Sequence, residues 1–374
     1  MGGAGRFLVE LSEALARRHH VRVLALADPG AAVPAPAHAR WQTVTAPPPA
    51  GGRWQTRARR RAALKQGLER ALEEELSDVL VGQHDTGPAV VAAARGAGRP
   101  AVLLLPSYEA LCLEAFIPGN GCIPESRCRA CPQALSLAPA ERRALHETRD
   151  AHAASLPDAT ALVAPARSLA AATEEWTGRM PYVIAPVVGM PSLAEARPDG
   201  HVLAVAALWD RNKGVEMLAP LAARLGSRRV VVQYHAGGLP ARWRRGLEEL
   251  PNVTLHESPA SERPRFEGAA VVIVPTLMDV FSRVAFEAMA AGAPTLASAA
   301  GGLPEVVPAQ QLVPRFEEAD AWADAVRELE DQDAWEAARR RGREAAEAIL
   351  ATRPVERLEE VLVRAAAVPA GTVA

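Results

Sequence analysis

The sequence predicts an α/β protein of two halves, each a parallel sheet covered by helices. Three observations carry this expectation. Short apolar runs alternate with amphipathic segments along nearly the whole chain, which is the pattern of strand–helix–strand units. A Pro- and Gly-rich stretch at 186–200 interrupts the alternation and then a second series begins. The length, 374 residues, gives room for two hydrophobic cores.

The first half opens on Gly2, Gly3 and Gly5, followed by an amphipathic helix to about Arg18, with Phe7, Leu8, Leu11 and Leu15 on one face. Strands are expected at Val21–Ala27 and Trp41–Thr45, then a Pro/Ala-rich loop at Ala46–Gly52. A helix follows at Arg53–Leu76, basic in its first half. Asp78–Gly82 and Ala101–Leu105 are short apolar strands with a helix between them. After the cysteine-bearing stretch 106–132 come a helix (Pro139–Ser155), a strand (Ala161–Ala164), a helix (Ser168–Trp176) and a strand (Tyr182–Ala185). In the second half, strands are expected near Val202–Ala206, Arg229–Gln233, Val253–His256, Ala270–Val274 and Thr295–Ala297, with helices between. Helices at Glu318–Glu330, Ala334–Ala351 and Val355–Ala367 close the chain. Two such Rossmann-like halves predict a ligand at the carboxyl ends of their strands. The expected domains are 1–188, holding the insertion 106–132, and 189–354. A last helix in 355–374 is expected to pack back on the first domain.

Composition narrows the function. Apolar residues make up 49% and charged residues 23%, as in ordinary globular proteins. The formal net charge of −2 offers no footprint for nucleic acid or an anionic membrane. No apolar run reaches the roughly 18 residues of a membrane span, and the first residues carry no secretory-signal pattern. A cytoplasmic enzyme is the expectation. Of 42 basic residues only Lys65 and Lys213 are lysine, which draws attention to a lysine in a suggestive place.

The most informative stretch is Val274–Val307. An acid, Asp279, precedes Val280-Phe281-Ser282-Arg283. Seven residues separate it from Glu287, which opens Glu-Ala-Met-Ala. Gly292, Pro294, Gly301-Gly302, Pro304 and Glu305 follow in register. This run resembles the C-terminal signature of the retaining GT-B glycosyltransferases of family 4. Arg211-Asn212-Lys213-Gly214 resembles the family's Lys-Gly loop, Gly2–Gly5 its glycine loop, and Asp78–His84 its strand ending in His. The resemblance covers nearly the whole chain and implies a GT-B fold, two Rossmann-like domains facing a central cleft.

The chemistry of such a site can be read from the residues. A helix starting near Ser282 presents unpaired N–H groups and a positive dipole end to a diphosphate. Glu287, farther along that helix, can accept from both ribose hydroxyls. By resemblance, Asp279 accepts from hydroxyls of the donor sugar, and Lys213, with Arg211, neutralises the departing diphosphate. Gly2 and Gly3 allow close backbone approach. Val280, Phe281, Ser282 and Arg283 complete the expected donor site, and His84, Asp85 and Ser107 are candidate acceptor-side residues. The implied donor is UDP- or GDP-linked, and the implied reaction keeps the anomeric configuration by front-side displacement without a catalytic divalent cation.

Several positions depart from the family pattern. Leu208 stands where an Arg is usual, and Asp279 is one methylene shorter than the usual Glu. Pro106-Ser107 replaces a His-Asp pair, and Ser282 replaces a Gly. The chain also starts at the glycine loop, where the family has a strand first. Either residues precede Met1, the favoured expectation, or the sheet lacks an interior strand.

Cys112, Cys122, Cys128 and Cys131 fall within twenty residues with a terminal C-x2-C. Four thiolates at this spacing suit a structural zinc, with an iron–sulfur cluster, free thiols and disulfides as alternatives. The leading function is sugar transfer to an acceptor, with a soluble small molecule of secondary metabolism preferred. A GT-B epimerase or phosphorylase, or a catalytically weak partner subunit, are the rivals. The acceptor, the nucleobase and the oligomeric state are left open by the sequence.

Overall fold

The computed structural model describes residues 3–28, 37–49, 51–83, 86–108, 131–259 and 262–368. The chain divides into two compact units. One comprises Leu8–Ala185 and Val355–Ala374, the other Met1–Phe7 and Pro186–Pro354. Both are α/β with parallel sheets.

The first unit is built from α1 (Gly3–Leu15) from Leu8 onward, β1 (Arg22–Ala27), β2 (Arg40–Thr45), α2 (Arg53–Glu74), β3 (Leu80–Gln83), α3 (Gly87–Gly96), β4 (Ala101–Leu104), α4 (Pro132–Leu135), α5 (Pro139–Asp158), β5 (Ala161–Ala164), α6 (Arg167–Thr177) and β6 (Tyr182–Val183). Among the described residues its strands form two separate parallel sheets, β1-β2 and β3-β4-β5-β6. The central strands β4 and β5 are buried at every position, as an apolar run covered on both faces should be.

Helix ends in this unit are stapled by side chains from neighbouring elements. Glu141 of α5 accepts from the backbone N–H of Trp54 (2.8 Å) and Gln55 (3.3 Å) at the start of α2, a carboxylate on the positive end of a helix. The sequence predicts α5 to stop at Ser155, but it runs through Pro157 to Asp158. Proline removes a donor near the end, and Arg179 supplies donors there. Its guanidinium donates to the carbonyls of Leu156, Pro157, Ala159 and Thr160. Gly178, at φ 70°, ends α6 in the left-handed conformation that glycine tolerates.

The second unit continues with β7 (His201–Val205), α7 (Val215–Arg224), β8 (Val230–His235), α8 (Ala241–Glu248), β9 (Val253–Ser258), β10 (Ala269–Val274), α9 (Arg283–Ala290), β11 (Thr295–Ser298), β12 (Leu312–Val313), α10 (Ala319–Glu328) and α11 (Gln332–Ala351). The last helix, α12 (Pro354–Ala366), groups with the first unit, where Glu359 takes His19 and Arg18 at 2.6 Å each. The sequence reading missed only the two-residue edge strand β12 among the strands of the second unit.

All six strands of this sheet are parallel, in the order β12-β11-β10-β7-β8-β9. Successive side chains point to opposite faces, and both faces are filled. Val202, Ala204, Val271 and Ile273 join one core cluster with Leu218, Leu221, Trp322 and Trp335. Leu203 and Val272 join another with Ala288 of α9 and Phe266. The buried tryptophans place their indole N–H groups on carbonyls: Trp335 on Ala270 (2.7 Å), Trp322 on Phe316 (2.9 Å) and Trp209 on Gln233 (3.2 Å).

The chain leaves β7 to one side for β8 and β9. It then returns to pair β10 against the other edge of β7. The connections therefore diverge at the carboxyl ends of β7 and β10. Such a switch point leaves a crevice, and ligands of open α/β sheets bind there.

Candidate active site

The loops at this switch point carry the expected donor residues. After β7 the chain turns through Asp210, Arg211, Asn212 and Lys213 to Gly214, the residue before α7. Gly214 has φ 74°, and a Cβ there would lie 1.8 Å from the carbonyl oxygen of Pro275. Only glycine lets the two loops pass so closely. Asn212 ties them together. Its carbonyl accepts from Leu277 N–H (2.8 Å) and from the Thr276 hydroxyl (2.7 Å), and its side-chain amide donates to Met278 O (3.1 Å).

This bracing brings Lys213 Nζ to 2.9 Å from Asp279 Oδ2. Burial opposes the Lys213 charge, but the Asp279 carboxylate beside it, their hydrogen bond and Asp210 outweigh burial and raise its pKa above the ordinary lysine value. Lys213 therefore stays cationic throughout the physiological range. The other Asp279 oxygen accepts from Phe281 N–H at 3.3 Å. The Gly301–Gly302 turn holds the backbone of Asp279: Gly302 N–H donates to its carbonyl (2.8 Å), and a Cβ on Gly301 would lie 2.2 Å from the same oxygen.

Ser282 is the N-cap of α9, and its hydroxyl accepts from Ala285 N–H at 3.3 Å. This is a physical reason for serine at 282. Val280 and Phe281 are buried, and the Phe281 and Phe286 rings lie 6.2 Å apart, so the turn into α9 is packed from beneath. Arg283 is the first residue of α9 and Glu287 stands one turn on, with Arg283 Nη2 2.9 Å from Glu287 Oε1. Glu287 is buried, so its charge needs such a partner. The positive end of the α9 dipole and its first-turn N–H groups suit this helix start to an anion.

Arg6, from the first residues of the chain, also reaches this carboxylate, with Nη1 3.5 Å from Glu287 Oε2. Met1–Phe7 belong to the same unit as Glu287. Arg6, Glu287, Gln233, Tyr234, His235 and Pro264 are among the residues lining a cavity at the carboxyl ends of β7 and β8. Burial, together with the positive charge of Arg6, pushes the His235 pKa below its ordinary value against a smaller opposing effect of Glu262.

The expected residues thus fall into three groups. Lys213, Asp279, Val280, Phe281, Ser282, Arg283 and Glu287 come together at the switch point. Arg211 does not join them: its side chain is 71% exposed and lies 3.4 Å from Glu216 on the first turn of α7. Ser107 lies just beyond the end of β4 in the other unit, and Gly3 is the first residue of α1. Gly2, His84, Asp85, Cys112, Cys122 and Cys128 lie outside the described residues. Cys131 is described, buried beside Trp54, Ala134, Ala144 and Leu145. No group of three or more metal-ligating side chains occurs among the described residues. Sequence reasoning missed Arg6, Asn212 and Thr276. Arg6 was legible only as the first cation after a glycine run, and the bracing by Asn212 and Thr276 needs the fold.

Comparison with known proteins identifies the family and the fold. Residues 1–188 match the family model described as Glycosyltransferase Family 4, and residues 199–332 match a model described as Glycosyl transferases group 1. A D-inositol 3-phosphate glycosyltransferase of Mycobacteroides abscessus is 33% identical over 145 residues, which cover 36% of this chain and 32% of that protein. A protein of the same name from Corynebacterium aurimucosum is 34% identical over 90 residues, 24% of this chain and 21% of that protein. The matched segments span about a third of the curated relatives or less. Among solved structures, sucrose-phosphate synthase from Thermosynechococcus elongatus superposes with a TM-score of 0.74 at 20% identity, covering 97% of this chain and 93% of that one. HepE from Anabaena, solved with UDP-glucose, gives 0.69 at 16% identity, covering 97% and 96%. These similarities place the fold in the GT-B class, two Rossmann-like domains with parallel sheets. With half of its length under one family model and most of the second unit under the other, the chain belongs to the family 4, group 1 glycosyltransferases.

Proposed function

We propose that the chain transfers a sugar from a nucleotide-sugar donor to the hydroxyl of a small-molecule acceptor, keeping the anomeric configuration. One observation carries the reading: two carboxylates, Asp279 and Glu287, each held by a cation, flank the N-terminus of α9 at the switch point of the second sheet. That spacing suits a ribose at Glu287, a diphosphate at the α9 N–H groups and a sugar at Asp279. HepE, which shares the fold, has been solved with UDP-glucose, and this favours a uridine donor, with guanosine as the second choice.

In this reading Asp279 accepts from a hydroxyl of the donor sugar and leaves Lys213 to the diphosphate. The bond from the anomeric carbon to the phosphate oxygen breaks, and negative charge builds on that oxygen beside Lys213, Arg283 and the helix end. The acceptor hydroxyl attacks from the same face, and its proton passes to the departing phosphate oxygen. No protein carboxylate has to act as nucleophile. Positioning and charge stabilisation supply the rate.

The test is turnover with UDP- and GDP-sugars against a panel of small-molecule hydroxyl acceptors, with product stereochemistry read from the anomeric coupling constant. Transfer with retention, reduced roughly 10²–10³-fold in kcat by Asp279→Asn or Lys213→Ala, is the expected result. An inverted product would rule out the front-side route. Epimerised or phosphorolysed sugar nucleotide would assign one of the rival enzymatic activities.

A further inference from the structure

Glu287 carries two guanidinium groups. Arg283 holds Oε1 at a normal hydrogen-bond distance, 2.9 Å, and sits on the same helix. Arg6 Nη1 stands 3.5 Å from Oε2, a longer ion pair than the one Arg283 makes. Both arginine side chains are largely withdrawn from water, at 15% exposure for Arg6 and 12% for Arg283. Arg283 already opposes the positive end of the α9 dipole, and Arg6 adds a second positive charge at the same spot.

The loop after β7 sends few cations to this place. Arg211 turns outward to Glu216, and Leu208 is an exposed apolar side chain, leaving Lys213 as the basic residue of that loop that reaches Asp279. A nucleoside diphosphate brings two or more negative charges. Its first phosphate is joined to the ribose through one carbon and one oxygen, so a guanidinium resting on a ribose-binding carboxylate can reach that phosphate by turning its own stem. The ribose hydroxyls, in turn, need the Glu287 oxygen that Arg6 occupies loosely.

We propose that Arg6 is a phosphate-binding residue of the donor site, resting on Glu287 until the ribose takes that carboxylate and then passing to the diphosphate. The proposal deepens the nucleotide-donor reading and rests on it. It assigns recognition of the donor to a side chain of α1, and it supplies the second unit with a further cation for a diphosphate where Arg211 faces away.

Isothermal titration of the full chain with UDP and GDP, and with uridine and guanosine, tests the exchange on wild type, Arg6→Ala and Arg6→Lys. The expected result is a loss of at least tenfold in diphosphate affinity for Arg6→Ala, with nucleoside affinity unchanged or stronger because Glu287 is released. Arg6→Lys should recover part of the diphosphate affinity. Equal changes for diphosphate and nucleoside, or no change for either, would overturn the proposal. If Arg6→Ala does not fold, Arg6→Gln against Arg6→Lys carries the same comparison, since both keep a long stem. Wild type that binds neither diphosphate defeats the donor reading itself, a distinct outcome from wild type that binds and a variant that does not differ.

Discussion

Glu287 shows how a residue's environment turns a sequence match into a site. A carboxylate withdrawn from water is expensive unless it is paired, and this one is held by Arg283 and approached by Arg6. The resemblance of the run Val274–Val307 to the family signature made Asp279, Ser282, Arg283 and Glu287 legible in the sequence, and a helix start and one turn of helix fix their relation. Arg6 was not legible as a partner, since most of the first unit and more than half of the second separate it from Glu287 along the chain and only the fold closes that distance. Arg211 was read as a phosphate ligand from its place beside Lys213, and the neighbouring Glu216 draws it outward.

The histidines give a prediction at the same scale. His235 and His201 both have pKa values below the ordinary 6.5, chiefly through burial. Arg6 adds to the effect at His235, and Arg229 at His201, where a hydrogen bond to the Gly268 carbonyl partly offsets it. The unfolded chain therefore takes up protons before the folded one as pH falls. Stability is full above the unfolded value and declines as pH drops below about 6.5. Thermal unfolding at pH 7.5 and 5.5 should show this loss, and the double variant His201→Gln/His235→Gln should show a smaller one. An identical pH dependence in the variant would mean that these histidines do not titrate differently on folding.

At the scale of elements, the site depends on loops crossing closely. The sequence showed Lys213-Gly214 as a motif but not what the glycine was for. The structure supplies the reason, a left-handed φ and a backbone so near Pro275 that a Cβ at 214 would stand 1.8 Å from its carbonyl oxygen. Gly226 is a useful contrast, with φ 61° and nothing within 4 Å of a Cβ. Gly226→Ala should cost about 1–2 kcal/mol from backbone strain alone. Gly214→Ala should cost clearly more, because the loops must also move apart, and it should weaken donor binding. Urea unfolding of both variants measures this, and equal costs would contradict the close-approach account.

Element boundaries were legible wherever local chemistry set them. Ala161–Ala164 is a four-residue apolar run between Thr160 and Pro165, and the strand falls on those residues. The helix at Pro139 was read three residues short, because its last turn owes its carbonyl partners to Arg179, more than twenty residues further on. The strand at Leu312–Val313 was missed because two residues give no period to read.

For the whole molecule, the α/β class and the two series of strands followed from alternation alone, and the structure has them as parallel sheets in two compact units. Strand order was not in the sequence. It comes from where each strand finds an edge, and the return of β10 to the free edge of β7 creates the switch point on which the functional reading depends. The three tryptophans of the second core, each buried and each with its N–H on a carbonyl, hold the helices α10 and α11 and the loop after β7 against that sheet. The crevice is thus mounted on a rigid base, as positioning chemistry requires.

In the proposed function a nucleoside diphosphate binds at the start of α9 with its ribose on Glu287. Thermal unfolding with UDP, GDP, TDP and ADP, on wild type and Glu287→Ala, tests it most directly. A ligand at about 100 times its dissociation constant adds about 2.7 kcal/mol of stability, an easily resolved rise in Tm. A rise with one nucleotide above the others is expected in wild type, and its loss in Glu287→Ala. No rise with any nucleotide, or the same rise in the variant, would contradict it.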